Sequence, residues 1–376
     1  MLTKNSPTPP EAGAQGTLTL ERVNTAPEQT WNRLNTNDIT LSVPVRSRKG
    51  SVYFALPRLF DRVECGMGER VRDWAVSQAA DARYVEVPAR TVREEPIVVS
   101  INADAGEVAD TGVIVREGAE ATIVVAVTGG ADPAAAHATS GSLLRVFAEA
   151  KSHVSIIEII GVGEAQQHLD NVGISADANA HVEVSQFALG GGTVALGLAC
   201  DLAGAHARID LSCRYHVNGA QVLDVNHVVR QRGRMTRAEI SESGVLEDAA
   251  KKSLRTTIDL IHGAKGAKGN EADTVFVLGD DVVNKTVPVI LCDEDDVLGN
   301  HGATIGSVSP EQLVYIQNRG LSLKEAERLF VRALFEDAIM NAPEPASHAA
   351  ALAQAERVLG DEVAHDFDDA RTTSEE

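Results

Sequence analysis

Runs of alternating β-branched residues start again and again at nearly one interval. From His153 to His181 is 28 residues, from His181 to Ala207 is 26, and from Ala207 to Thr236 is 29. No good amphipathic helix lies between them. The unit is too short for a strand–helix–strand crossover with its loops and too regular for a random sandwich. It fits one coil of a β-helix with two or three short strands per turn, stacked so that neighbouring coils bury a column of Val, Ile, Leu and Ala. Each run follows a similar lead-in: Gly118–Thr122, Ala150–Val154, Ala178–Val182, Gly204–Arg208. A small residue turns the chain and a strand begins. The competing architecture is an ordinary β-sandwich.

Composition agrees with narrow coils. Only 4% of the 376 residues are aromatic, against 44% hydrophobic overall, so the core must be aliphatic. The net charge of −20 repels phosphate backbones and anionic lipid surfaces, which argues against nucleic-acid and membrane partners. The longest uncharged stretch, Val184–Cys200, contains Gly190, Gly191 and Gly192 and makes a poor membrane helix. Met1–Glu11 has no apolar run of the signal-peptide kind. Cys65, Cys200, Cys213 and Cys292 form no CxxC and no zinc-finger spacing, which predicts free, mostly buried thiols in a reducing cytoplasm.

Strand parity assigns sides. In Ala207–Val217, Ile209, Leu211, Cys213, Tyr215 and Val217 alternate with Arg208, Asp210, Ser212, Arg214 and His216. Cys213 is therefore expected in the core and His216 in solvent. Upstream, residues 1–40 read as a polar tail with a helical turn near Glu28–Leu34. Residues 41–95 read as a short α/β region in which Val71, Trp74, Ala75 and Gln78 share a helix face. The β-helix core is expected over 96–308, and 309–376 as a C-terminal helical subdomain with an acidic tail. There Ser322 and Glu325 form a capping box. Ala326, Leu329, Phe330, Ala333, Phe335 and Ala338 form an apolar stripe, Pro343 and Pro345 stop the helix, and a second helix covers Ala346–Leu359.

Three features could carry chemistry. Asp293–Asp296 is a four-carboxylate run, and hard cations take clustered oxygens, yet consecutive residues point apart and a solvated turn is the simpler reading. Gly263–Gly269 lacks the phosphate-loop pattern and reads as a turn. His301 lies in Val297–Gly306, just before the helical end, and a lone His is ordinarily structural.

The whole block changes that weighting. Asp293–Val297, then Asn300–Gly306, then Glu311–Gly320, continuing through Ala326–Ile339, resembles the C-terminal signature of the SufB/SufD family of iron–sulfur cluster assembly scaffolds. His227, Ser243, Gly244 and Ile258–Gly263 resemble its last β-coils. The resemblance implies a mainly β protein: a right-handed parallel β-helix (β-solenoid) core with a C-terminal α-helical subdomain. It implies a non-catalytic scaffold that pairs with a SufB-type subunit and docks a SufC-type ABC ATPase. No thiol stands in Glu271–Val277, where SufB-type chains carry a Cys, and the His301–Thr304 form is closer to SufD. His301 takes the position of a histidine implicated at the cluster-forming interface, which makes it the candidate iron or cluster ligand for a transient iron–sulfur cluster. Many SufD chains carry a Cys two residues earlier; here that residue is Gly299. The helix Ser322–Met340 is the expected SufC contact, with Ser322, Glu325, Arg328, Leu329 and Arg332 as partner-binding residues. The N-terminal helical region is shorter than is usual for the family, and a homodimer stays open. Alternatives outside this reading are a purely structural homodimer and a carbohydrate-active β-helix enzyme using the Asp293–Asp296 carboxylates.

Overall fold

In the computed structural model, residues 16–27, 36–46, 54–306 and 310–361 are described. Sixteen strands wind into two parallel eight-stranded sheets. The first sheet holds β3 (Ala82–Val87), β5 (Val108–Val115), β7 (Thr139–Ala148), β9 (Gln167–Ala176), β11 (Thr193–Leu202), β13 (Val222–Gln231), β15 (Lys251–Leu260) and β17 (Val283–Cys292). The second holds β4 (Ile97–Asn102), β6 (Glu120–Thr128), β8 (His153–Gly161), β10 (His181–Gly190), β12 (Arg208–Val217), β14 (Arg237–Glu247), β16 (Lys268–Leu278) and β18 (Leu298–Gly306). Consecutive strands alternate between the sheets, so each coil contributes two. This is a parallel β-solenoid, and the all-parallel pairing excludes the sandwich.

The repeated lead-in has a backbone cause. Arg90, Gly118, Lys151, Asn179, His206, Met235 and Gly266 all adopt left-handed φ, between 58° and 76°. They stack in one column. The Lys151 N–H donates to the Ala178 carbonyl on the next coil, Asn179 to Ala205, and His206 to Arg234, each at 2.8–2.9 Å. A left-handed turn costs an L-residue roughly 1–2 kcal/mol. The stacked hydrogen bonds and the buried small residue that follows (Ala119, Ser152, Ala180, Ala207, Thr236, Ala267) offset it.

Inside, aliphatic rows run across the coils in strict register. Ile97, Ile123, Ile156, Val184, Leu211 and Ile240 align on successive strands of the second sheet, and all are buried. Each such side chain stabilises the fold by roughly 1.5–3 kcal/mol. Cys213 lies in this interior, as parity predicts.

Both outer faces carry a cover. On the first sheet lie α1 (Glu69–Gln78) and the antiparallel pair β1 (Gly16–Val23) with β2 (Ile39–Val45). Leu20, Val43, Met67, Val71 and Trp74 pack there on Leu143, Leu169 and Ala195. Strand β1 thus stands where a polar tail was expected; Glu28–Leu34 lies outside the described residues. The loop before α1 presses flat on the sheet, Asn226 Nδ2 donating to the Gly66 carbonyl at 2.8 Å and Met67 N–H to Asn171 Oδ1 at 2.9 Å. A Cβ on Gly197 would meet the Met67 nitrogen at 2.4 Å, so only glycine admits this approach.

On the second sheet lie α3 (Leu323–Met340) and α4 (Pro345–Leu359), which follow α2 (Pro310–Gln317). Val331, Phe335, Ala351 and Ala355 pack on Ile159, Phe187, Leu189 and Val245. This cover buries His216, which was expected in solvent. Its Nε2 lies 2.7 Å from Glu247 Oε2, and its ring meets the Phe335 ring edge-on at 5.6 Å. The buried stripe of α3 is Ala326, Val331, Leu334, Phe335, Ala338 and Ile339, whereas Leu329 and Ala333 face outward. No helix among the described residues is long and apolar enough to cross a membrane.

Candidate functional site

The aliphatic row changes chemistry at its last two positions. After Ile240 comes Glu271 on β16, and after Glu271 comes His301 on β18. Strand β18 closes the second sheet and β17 the first, and each is paired on one side only among the described residues. Every residue of β18 is exposed, His301 included. An edge with free backbone N–H and C=O groups is a template for another strand. A Cβ on Gly302 would meet open space, whereas one on Gly299 would press Ile290 at 3.1 Å.

Behind the edge, Glu271 is buried. Neither of its oxygens meets an N–H or hydroxyl donor among the described residues. Burial pushes its carboxyl up to about 8, the neighbouring charges of Glu242 and Asp273 push the same way, and Lys252 works against them.

Glu271 is the outer end of a polar file through the solenoid. Thr256 Oγ1 donates to Glu242 Oε1 at 2.6 Å, and His227 Nδ1 faces the same oxygen at 2.6 Å. His227 Nε2 donates to Gln186 Oε1 at 2.9 Å, and Gln186 Nε2 donates to Glu158 Oε2 at 2.7 Å. Deeper still, Ser142 donates to Asp170. Burial raises the Glu158 and Asp170 carboxyls. A branch holds Lys252 Nζ against Asp273 Oδ2 at 2.9 Å, Tyr215 Oη at 3.1 Å and Thr286 Oγ1 at 3.1 Å. Burial lowers the Lys252 ammonium, and Asp273 opposes that shift.

The cysteines divide. Cys65, Cys200 and Cys213 are buried, and burial raises each thiol, that of Cys65 to about 12. Cys292 is exposed, at the end of β17 on the same final coil as His301, its thiol donating to the Glu294 carbonyl at 3.3 Å. Sequence reading grouped it with the mostly buried thiols. Its place at a strand end, next to the acidic run, was the available signal.

The residues expected at the helical contact have internal partners. Ser322 Oγ accepts from the Glu325 N–H at 3.3 Å, and Glu325 Oε2 accepts from the Ser322 N–H at 2.6 Å. The latter bond, with the Ser322 hydroxyl, holds the Glu325 carboxyl below its usual range. Arg328 Nη2 donates to the Leu359 carbonyl at 3.1 Å and so ties α3 to the end of α4. Leu329 is exposed and Arg332 half-buried. Further exposed apolar side chains on α2, α3 and the turn between them are Val314, Tyr315, Leu321, Leu323 and Met340. A cleft lined by Val277, Leu278, Ile305 and Glu327 joins the end of β18 to α3. His301 and the α3 residues therefore belong to one end of the molecule.

The acidic run is a turn. Glu294 accepts the Gly263 N–H at 2.9 Å, and this bond lowers its carboxyl. Gly263–Gly269 forms the matching turn one coil earlier, Gly266 N–H donating to the Asp296 carbonyl at 2.6 Å. Among the described residues, Asp293–Asp296 gathers no metal-holding group of three donors.

Two parallel sheets, a cover on each outer face and an open final coil define a β-solenoid protein with an exposed end. The family model described as "SUF system FeS cluster assembly, SufBD core domain" matches residues 98–334, and the chain belongs to the SufB/SufD family. Within it the chain is most like SufD. An iron–sulfur cluster assembly protein SufD of Bacillus subtilis (strain 168) is 34% identical over 99 residues, covering 26% of this chain and 23% of that protein. A SufBD family protein of Methanocaldococcus jannaschii is 30% identical over 131 residues, covering 35% and 40%. One from Staphylococcus aureus (strain USA300) is 24% identical over 231 residues, covering 58% and 49%. The chain thus spans less than half the length of each of these relatives.

Proposed function

We propose that the chain is a non-catalytic scaffold subunit of iron–sulfur cluster assembly. Its final coil, β17 and β18, pairs with the corresponding edge of a SufB-type subunit. Helix α3 docks a SufC-type ABC ATPase through its outward face, where Leu329 and the Arg332 region lie. A transient cluster, as cargo rather than resident cofactor, forms at the subunit interface with His301 as a ligand. The observation that carries this reading is the exposed His301 on a strand edge left unpaired among the described residues, in a chain of this family. A neutral imidazole binds iron, as it does in mixed Cys/His clusters. Cys292 adds an exposed thiol to the same coil, beyond the partner's own cysteines.

Family membership supports this reading over the carbohydrate-active alternative. The deciding experiment is co-expression with SufB- and SufC-type subunits, pull-down, and anaerobic reconstitution with iron and sulfide followed by absorbance. Association with cluster absorbance that falls in His301→Ala is the expected result. Absence of association with either subunit overturns the reading, and self-pairing without cluster absorbance replaces it with a structural homodimer.

A further inference from the structure

Away from the open end, two imidazoles and a carboxylate converge on the outer face of the second sheet. His153 opens β8 and His181 opens β10, in direct register one coil apart. Their rings stack with centroids 4.9 Å apart and planes within 10°. Glu183 lies two residues beyond His181 and so points to the same face. One oxygen of Glu183 is 3.2 Å from His153 Nε2, and the other is 3.7 Å from His181 Nε2. The donor atoms of all three residues fall within 4.8 Å of one another. Asp210, next along the sheet, places Oδ2 2.6 Å from His181 Nε2, and Arg208 Nη2 holds its other oxygen at 2.7 Å. His153 Nε2 is shielded from solvent and makes no hydrogen bond.

A cross-strand His–carboxylate ladder alone explains this poorly. A ladder of this kind would pair each ring nitrogen with a facing oxygen, as His181 Nε2 pairs with Asp210, yet His153 Nε2 is withdrawn from water without a hydrogen bond. We propose that His153, His181 and Glu183 form a binding site for an exchangeable divalent first-row transition ion, with Asp210 as the neighbouring oxygen donor. Two imidazoles and one carboxylate are a donor set that Zn²⁺ and Fe²⁺ take, with further positions left to water or exchange. Zn–N bonds of about 2.0–2.1 Å put two nitrogens on one ion no more than about 4.2 Å apart. The stacked rings reach that by tilting together, and both are partly exposed and free of the helical cover, which packs on the far ends of the same strands. Loading the ion releases His181 from Asp210 and gives His153 Nε2 a partner. Strands β12, β14 and β16 separate this site from β18, so it lies roughly 19 Å from His301 at about 4.8 Å per strand. The site is independent of the cluster reading.

The experiment uses the full metal-stripped chain, titrated with Zn²⁺ by calorimetry and with Co²⁺ by visible absorbance at pH 7.5. One equivalent should bind, with Co²⁺ ligand-field bands. His181→Ala and the near-isosteric Glu183→Gln should each weaken binding at least tenfold, while His301→Ala leaves it unchanged. Circular dichroism confirms that each variant is folded. Absence of stoichiometric binding, or binding equal in His181→Ala and Glu183→Gln to that of the parent chain, overturns the proposal. So does loss of the signal in His301→Ala alone.

Discussion

His301 sits directly across from Glu271 in the register of the last two strands of its sheet, the imidazole open to solvent and the carboxyl enclosed. The pair marks where the solenoid stops being a core and becomes a surface. His301→Ala should leave thermal stability within about 0.5 kcal/mol, the usual range for an exposed side chain. Glu271→Gln keeps the shape and removes a charge set among Glu242 and Asp273. It should raise the melting temperature at pH 8–9, by an amount reduced by water at the open end. Parallel thermal melts of the two variants check both. A large loss in His301→Ala would return that residue to a structural role.

Cys292 should be the one fast thiol. A thiol-reactive chromogen added to the native chain should titrate one cysteine quickly and the other three only in denaturant, because burial keeps Cys65, Cys200 and Cys213 protonated and out of reach. Cys292→Ser should abolish the fast phase. More than one fast thiol in the native chain would contradict the buried placement of the others.

Lys252 is buried against Asp273 with Tyr215 and Thr286 completing its contacts. Lys252→Met removes the cation and strands the Asp273 carboxylate, a change that costs about 3–5 kcal/mol for buried pairs. The urea midpoint should fall accordingly. Adding Asp273→Asn should recover part of the loss, since the stranded charge is then gone. A double variant no better than the single would show that the pair acts through packing alone.

Much of this architecture was legible in the sequence, for a physical reason. A solenoid repeats its turn, so the left-handed column at Lys151, Asn179, His206 and Met235 printed itself as a 26–29-residue period. Parity then placed Cys213 inside. What failed depended on distant contacts. His216 has the alternation of a solvated residue, and only α3, more than a hundred residues later, covers it. Leu329 fits an apolar stripe by spacing, yet the buried face of α3 is rotated toward Val331 and Leu334. The alternation in Thr17–Leu20 and Ile39–Val45 was a readable strand signal, masked by the Pro-rich flank. The metal-binding geometry at His153 and His181 was hidden in plain sight: both open equivalent strands 28 residues apart, and stacking follows from register.

Gly197 and Gly66 hold the N-terminal cover flat on the first sheet. Gly197→Ala puts a Cβ 2.4 Å from the Met67 nitrogen, a clash with backbone that no rotamer relieves. The loop must lift, taking with it the Asn226–Gly66 and Asn171–Met67 hydrogen bonds. A loss of about 1–3 kcal/mol is expected for such overpacking. Hydrogen exchange should localise it to residues 64–75, while the last coils keep their protection. Uniform loss across the solenoid would show that the cover is integral to the coils.

His168 gives the chain a defined acid sensitivity. It is fully buried beside Ser140, whose hydroxyl lies 2.8 Å from Nδ1, and burial holds its imidazole down to about 3. In the unfolded chain a histidine takes its proton near pH 6.5. Between those values the unfolded state binds a proton that the folded state does not. Stability from this group is therefore complete above about pH 6.5 and drains as pH falls toward about 3, by at most about 1.4 kcal/mol per pH unit. The buried carboxyls of Glu158 and Asp170 work in the opposite sense. Their raised values make the folded state hold protons longer than the unfolded chain does, so they favour folding as the pH drops. Comparing the parent with His168→Asn separates the two contributions. The variant should be less stable at pH 7.5, having lost a fitted side chain, but its stability should fall less steeply between pH 6.5 and 4. Equal slopes in urea unfolding at pH 4, 5, 6 and 7 would mean that His168 is already protonated in the fold.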